Sequence, residues 1–479
     1  MPSRRTHVTD SVAQSELAVA LARLRAELDV PESFPPEVLA EAASMRAADP
    51  GTDLGELEFV TIDPPGSTDL DQALCIARRA SGFLVHYAIA DVPGWVLPDG
   101  AVDLEARRRG QTLYAADGRV PLHPVVLSED RVSLLPDAER TAFVWVFELD
   151  ERGEVTSTGL VRANVRSREQ LSYDEAQARI DAGDGDSSLA LVREVGLLRI
   201  ELERARGGAS LNSPVEEIVR TADGGYSLER RRPLPVEDWN AQLSLMTGME
   251  AAKLMLAAGV GVLRTMPKPS AERITTFREQ TRALGLPWTE TISYGEYLRG
   301  LDRDDPAALA VMQAASGLFR GAGYLAVDGE FPPDPIQSAL AAPYAHVTAP
   351  LRRLVDRWGL AICEAICGKR EVPVWARASL PELPSLMGAS SQRAGRLEAE
   401  SIARVEAALL SSRAGERFSA TVLEVRGERA WLQIAEPAVT ATCPAPADVH
   451  AGTSLEVELI AADIATGTIE FRVVAGAAA

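Results

Sequence analysis

Three carboxylates stand within nine residues in the stretch Asp63-Pro-Pro-Gly-Ser-Thr-Asp69-Leu-Asp71-Gln72. Carboxylates this close repel one another, and a bound cation is one way to relieve that repulsion. Hard oxygen donors around a turn suit Mg2+ or Mn2+. The other reading of the same residues is a polar surface turn whose aspartates cap backbone N–H groups. The stretch is not an EF-hand, because the glycine and the closing glutamate of that motif are missing.

The elements that must position this loop come next. An apolar, β-leaning run at 57–62 leads into it, and Pro64, Pro65 and Gly66 stop that run and force a turn. Upstream, residues 1 to about 50 read as helical: Val12, Leu17, Leu21, Leu24 and Leu28 recur at helical spacing, prolines at 31, 35 and 36 break the pattern, and a second short helix follows over 36–45. This segment reads as a packing appendage of the next domain or as a helix-turn-helix-like unit. From about 51 to 170 the pattern is strand-rich, clearest at 57–62, 74–77, 83–89 and 142–149. Helical patterns occupy 170–206, 239–263 (ending near Gly259 or Gly261) and 270–320, and a loop at 346 runs into a helix that reaches 367. A further helix spans roughly 386–413. The last segment, 416–474, alternates apolar and polar residues in five short runs, which fits a small closed barrel such as an OB-fold.

Bulk properties narrow the function classes. The 479 residues have room for two to four domains, with 46% hydrophobic and 25% charged residues, as in a soluble globular protein. No run approaches the length of a membrane span and no signal peptide is read, so no membrane association is expected. Cys75, Cys363, Cys367 and Cys443 show no CxxC spacing, and a reducing cytoplasm is the expected compartment. A net charge of -20 argues against a protein that coats nucleic acid electrostatically. It leaves room for an enzyme that threads one strand through a local basic channel. No GxSxG occurs, and no cysteine sits in a recognisable catalytic context, so a serine or cysteine hydrolase is unsupported.

Several stretches together resemble the ribonuclease II (RNB) family of exoribonucleases. They are the acidic loop; Ala88-Ile-Ala-Asp91-Val; Asp103-Leu-Glu-Ala-Arg-Arg-Arg-Gly110-Gln-Thr-Leu-Tyr114; Pro121-Leu-His-Pro124; Leu127-Ser128; Ser133-Leu134; and Tyr344-Ala-His346-Val-Thr348-Ala-Pro350-Leu-Arg352-Arg353-Leu-Val-Asp356-Arg357. Their order and spacing carry the resemblance, over roughly 55–410. It implies an α+β fold: an RNB-type mixed α/β catalytic domain over 53–413, a small helical N-terminal segment over 1–52 in place of the family's cold-shock domains, and a C-terminal five-stranded OB-fold barrel over 414–479 that contacts RNA. The implied activity is processive, metal-dependent 3′→5′ hydrolysis of single-stranded RNA to nucleoside 5′-monophosphates, by a monomer whose catalytic centre lies deep in a narrow channel. Such hydrolysis must neutralise a phosphodiester oxyanion, activate a water and stabilise the leaving oxygen, and two divalent ions roughly 4 Å apart can do all three.

By the same resemblance Asp63, Asp69 and Asp71 occupy metal and catalytic positions, with Asp71 most directly tied to cleavage. Gln72 stands where the family has a fourth aspartate. Its carbonyl can still ligate Mg2+, but the site loses one negative charge. Arg352 matches the arginine that meets the scissile phosphate, and Arg353, Thr348 and His346 share its loop, His346 as an orienting residue. Arg353 and Arg357 also suit pairing with Asp356. Tyr114 matches a tyrosine near the 3′-terminal nucleotide. Trp239, Phe319 and Tyr324 are candidates for an aromatic clamp, Glu398 or Glu400 for a glutamate on the late helix, and Phe418, Trp431 and Phe471 for stacking surfaces in the barrel. Two rival classes follow from the same residues. One is a phosphoesterase acting on DNA or small nucleotides. The other, motivated by Gln72, is an RNA-binding protein with weak or no nuclease activity.

Overall fold

The computed structural model describes residues 4–478 apart from 8–10, 48, 117, 184–186, 210–214, 221–225, 232, 303–304, 319, 333–334, 435–438 and 448. Strand β1 (Arg4–His7) precedes helices α1 (Ser11–Glu27) and α2 (Pro36–Ser44). Strands β2 (Phe59–Asp63), β3 (Gln72–Arg79) and β4 (Gly82–Ala90) lead to α3 (Val92–Trp95), α4 (Ala101–Arg109), the ribbon β5 (Leu113–Ala115) and β6 (Gly118–Val120), and the long strands β7 (Glu139–Leu149) and β8 (Val155–Ser172). Helices α5 (Tyr173–Ala182) and α6 (Ser188–Arg206) and the hairpin β9 (Val215–Arg220) and β10 (Tyr226–Arg231) precede α7 (Pro235–Ala258). Strands β11 (Val260–Thr265) and β12 (Gly323–Asp328) bracket α8 (Ala271–Ala283), α9 (Tyr294–Arg299) and α10 (Pro306–Ser316). Helices α11 (Leu354–Cys367), α12 (Val374–Ser379) and α13 (Leu383–Leu410) follow. Strands β13 (Arg417–Arg426), β14 (Arg429–Ile434), β15 (Val439–Pro444), β16 (Ser454–Asp463) and β17 (Thr468–Ala478) end the chain.

Side-chain alternation builds the centre. Strands β2, β3, β4, β7 and β8 close into a barrel, with β8 returning parallel to β2. Successive residues of a strand face opposite sides, and here each side feeds a different core. Leu74, Ile76, Val85, Tyr87, Trp145 and Phe147 join one cluster with α6, α7 and α11. Ala73, Ala88, Ala90 and Val144 join a second cluster with Phe59, Leu70, Val102 and Leu351. A register slip of one residue would exchange the two faces. The C-terminal strands form a second closed barrel, β13-β14-β15-β17-β16, the five-stranded barrel expected from sequence. It docks on α8–α10, where Leu423 and Ala451 join Phe277, Trp288 and Tyr297.

Helix α1 packs on α13 and on the β5–β6 ribbon. Leu24 and Leu28 meet Leu113, Val120 and Leu397. Leu17 and Leu21 meet Val405 and Ala116. The N-terminal segment thus braces a ribbon that reaches the site described below.

The structure departs from the sequence reading in four places. The N-terminal segment begins with a strand, because β1 pairs antiparallel with β10. The hairpin β9–β10 was not legible because its partner strand lies some 200 residues away in sequence. The long helix ends at Gly259 as expected, in a left-handed conformation (φ 69°), but the apolar residues at 260–263 form β11 rather than a last helical turn. The strand-rich region closes into a barrel of its own, a parallel closure that no local pattern announces. Two expectations fall outside the described residues: Ala438, where the third of the five closing runs (438–443) was read to begin, and Phe319.

Candidate active site

The acidic loop joins β2 to β3 at the rim of the first barrel, and its backbone is clamped from several sides. Ser133 Oγ donates to the Thr68 carbonyl at 2.7 Å and accepts from the Leu70 N–H at 2.9 Å. Gln170 Nε2 donates to the Ser67 carbonyl at 2.8 Å. The Ala90 N–H donates to the Asp71 carbonyl at 2.9 Å, and Leu134 N–H to the Leu70 carbonyl at 3.0 Å. Thr68 Oγ1 donates to Glu129 at 2.8 Å, and Glu129 sits on a single π-helical turn, Leu127–Arg131. Gly66 turns the loop with φ of 79°.

The three aspartates then differ by environment. Asp63 ends β2. Burial first, and Asp69 second, push its carboxyl up to about 7 against the opposing pull of Arg352. Its Oδ2 is buried without a hydrogen-bond partner. Asp69 accepts from Arg119 Nη1, and the same guanidinium reaches Thr68 Oγ1 at 2.8 Å and Glu129 at 2.9 Å. Asp71 is buried. Its Oδ1 accepts from the Leu351 N–H at 2.7 Å, and its Oδ2 lies 3.6 Å from Arg352 Nε. Burial holds the Asp71 carboxyl well above the usual carboxylate range despite that arginine.

The arginine loop, 346–353, crosses α7 and enters α11. Gly248 permits the crossing: a Cβ there would lie 2.1 Å from the Tyr344 ring and 2.6 Å from the Ala345 carbonyl. The loop is fixed in turn by Ala349 N–H on Asp356 (2.7 Å), Leu351 N–H on Asp71 and the Arg352 carbonyl on Thr112 N–H (2.9 Å). Arg352 is 43% exposed and faces Asp71. Tyr114, on β5, is 54% exposed. Its phenol is pushed up by burial of the hydroxyl end and lies in the field of Arg352, Asp69 and Asp71. The structure therefore gathers Asp63, Asp69, Asp71, Arg352 and Tyr114 from three separate segments.

Other expected residues stand behind this surface. Arg353 turns its fork onto Asp356, with both bonds at 2.9 Å, rather than outward. Thr348 is buried, with its hydroxyl bonded to Ser244 at 2.8 Å. His346 bonds the Tyr324 hydroxyl through Nδ1 at 2.8 Å, and burial together with Arg353 and Arg264 keeps its ring neutral. His346 thus orients the loop and Arg353 pairs with Asp356, as read from the sequence, and Thr348 is held from within the fold. Arg357 pairs with Asp103, not with Asp356. Gln72 is likewise engaged. Nε2 donates to the Thr348 carbonyl at 2.6 Å and Oε1 accepts from Tyr87 at 3.1 Å. Both polar atoms of the amide expected to serve as a metal ligand thus have partners within the fold. Of the proposed clamp residues, Trp239 is buried in the core, while Tyr324 lies half-buried against His346. Glu400 pairs with Arg396 and Arg404 along α13, and Glu398 points outward.

Sequence reasoning missed Arg119, Glu129 and His123. Arg119 faces Tyr114 across the β5–β6 ribbon, a pairing that the tight Tyr114-to-Arg119 spacing around Gly118 could have suggested. His123 is buried, pushed down to about 4 by burial and Arg357, and hydrogen-bonds the Pro350 backbone of the arginine loop.

Among the described residues, no group of three or more His, Cys, Asp or Glu side chains is arranged to hold a metal ion. A Mg2+ site completed by water and substrate phosphate needs only one or two carboxylates. Asp63, with its unpartnered buried oxygen beside Asp69, fits that smaller requirement.

Comparison with known proteins gives the family of the chain. The RNB domain family model matches residues 51–362. The chain belongs to the RNB family. The model for the RNase II-type exonuclease C-terminal S1 domain matches residues 416–474, the closing barrel. The chain is 30% identical over 376 residues to exosome complex exonuclease RRP44 homolog A of Arabidopsis thaliana, covering 73% of this chain and 39% of that protein. It is 29% identical over 387 residues to ribonuclease R of Escherichia coli, covering 74% of this chain and 46% of that protein. It thus spans less than half the length of these curated relatives. RNB relatives also include one named inactive exonuclease DIS3L2 of Arabidopsis thaliana, 30% identical over 349 residues, or 64% of this chain and 32% of that protein. In fold the chain is similar to Mycoplasma genitalium RNase R in complex with ribose methylated single-stranded RNA, at TM-score 0.86 and 18% identity, over 96% of this chain and 78% of that one.

Proposed function

We propose that the chain is a processive 3′→5′ exoribonuclease that hydrolyses single-stranded RNA to nucleoside 5′-monophosphates with Mg2+ or Mn2+, acting as a cytoplasmic monomer. The observation that carries this reading is the seating of Arg352 against Asp71, 281 positions apart in the chain, on a rim shared with Asp63 and Asp69. A phosphodiester site needs a fork for the phosphate and carboxylates for a cation within reach of each other, and this rim supplies both.

Each residue then has a task. Arg352 offers its exposed N–H groups to the scissile phosphate and to the charge that grows on it. Asp71 Oδ2 faces the same phosphate. In its ionised form Asp71 would take the proton of the attacking water, and burial makes that form the stronger base. Asp63 and Asp69 would hold the ion, which when bound supplies Lewis-acid charge to the phosphate and lowers the pKa of water. Tyr114, exposed beside Asp69 and Arg352, stacks on the terminal base or touches its ribose.

The test uses 5′-labelled RNA and DNA oligonucleotides incubated with each metal. Stepwise shortening of RNA alone, abolished by EDTA, is expected. Retained binding with no shortening under any metal favours the second reading, an RNA-binding protein without cleavage. That reading draws on the neutral Gln72 and on the inactive relative.

A further inference from the structure

Gln72 opens β3 directly after Asp71, where the sequence led to the expectation of a metal ligand that has lost its charge. Its surroundings describe something else. Nε2 donates to the Thr348 carbonyl at 2.6 Å, and Oε1 accepts from the Tyr87 hydroxyl at 3.1 Å. Thr348 Oγ1 and Ser244 Oγ are 2.8 Å apart, and Ser244 is in hydrogen-bonding contact with the Tyr87 phenol. The four side chains form a ring that joins β3, β4, α7 and the arginine loop.

The chemistry of the ring fixes the orientation of the amide. A carbonyl only accepts, so the nitrogen must face Thr348. The phenol is the donor on the other side, so the oxygen must face Tyr87. Burial raises the Tyr87 pKa and keeps that proton in place. An ionised aspartate cannot satisfy this position. It has no donor for the Thr348 carbonyl, and it is one methylene shorter.

Thr348 is one of several anchored residues in the loop, with Ala349 on Asp356, Leu351 on Asp71 and Arg352 on Thr112 after it. We propose that Gln72 is a positioning residue: its carboxamide ties the start of β3 to the Thr348 end of the loop and thereby holds Arg352 against Asp71. The inference rests on the exoribonuclease reading for the reaction it serves.

Gln72→Asp, Gln72→Glu and Tyr87→Phe are compared with the parent chain in four measurements. These are Mn2+ binding by calorimetry without RNA, RNA affinity in EDTA, the single-turnover cleavage rate at saturating RNA, and hydrogen exchange of the 346–353 amides. The two acidic variants are expected to leave Mn2+ affinity within about twofold and RNA affinity within a few-fold. Their single-turnover rate falls about tenfold, the scale of one buried hydrogen bond, and exchange in the loop quickens. Tyr87→Phe, which keeps the Thr348 bond, falls between them and the parent. Tighter Mn2+ binding or faster cleavage in Gln72→Asp overturns the proposal, because position 72 is then a ligand short of a charge. Unchanged rates in both acidic variants also overturn it. If the parent chain itself does not cleave, loop exchange decides: faster exchange in the acidic variants supports the tie, and unchanged exchange refutes it.

Discussion

Asp63 carries a proton that a bound ion would displace. Its carboxyl, pushed up to about 7 by burial and by Asp69, is protonated in the resting site at mildly acidic pH. Metal ligands must be deprotonated, so binding releases that proton. Apparent Mn2+ affinity is therefore predicted to fall about tenfold per pH unit below 7 and to level off above it. Calorimetry at pH 6 in buffers of different ionisation enthalpy should show release of about one proton per ion, and pH-independent affinity between 5 and 7 would remove Asp63 from the site. Arg119 acts in the opposite sense, because its guanidinium already neutralises Asp69. Arg119→Met is predicted to tighten Mn2+ binding about tenfold, on the scale of one close charge contact, and weaker binding would contradict that. The aspartates and Arg352 were legible in the sequence because the covalent spacing of two short stretches carries them. Arg119, Glu129 and the engagement of Gln72 were not, because each depends on contacts between segments that only the folded chain brings together.

At the scale of elements, the site depends on how closely the arginine loop crosses α7. Tyr344 and Ala345 pass where only a glycine leaves room. Gly248→Ala forces the Tyr344 ring or the loop backbone to shift, and overpacking of this kind costs about 1–3 kcal/mol. The variant should show a lower Tm and a reduced cleavage rate together, and an unchanged Tm would mean that the loop yields freely. The helices and the five closing strands were readable from periodicity, which survives wherever one face is buried. The first barrel was not, since its closure joins β2 to β8 across 108 residues of sequence (Phe59 to Ser167), and neither was the β1–β10 pairing.

Across the whole molecule, the C-terminal barrel has turned much of its aromatic content inward. Phe418 and Phe471 stack edge to face in its core at 5.8 Å. Trp431 packs against the cluster that holds Phe277 of α8 and Trp288 of the segment after it. Trp431→Ala is therefore predicted to lower Tm by a few degrees, from a loss of about 2 kcal/mol, with RNA affinity changed less than about twofold. A large loss of RNA affinity at unchanged Tm would instead make Trp431 a stacking surface. Among the described residues no helix is long and apolar enough to cross a membrane. The N-terminal helix braces the ribbon beside the site.

The central claim is that this rim cleaves RNA from its 3′ end. The most direct measurement follows RNA labelled at its 3′-terminal nucleotide with the parent chain, Asp71→Asn and Arg352→Ala, alongside RNA affinity in EDTA. The account predicts that the parent chain releases labelled nucleoside 5′-monophosphate first, and that both variants lose at least about a hundredfold in rate, with Asp71→Asn still binding RNA. Release of a longer labelled fragment, or undiminished release by Asp71→Asn, would contradict it.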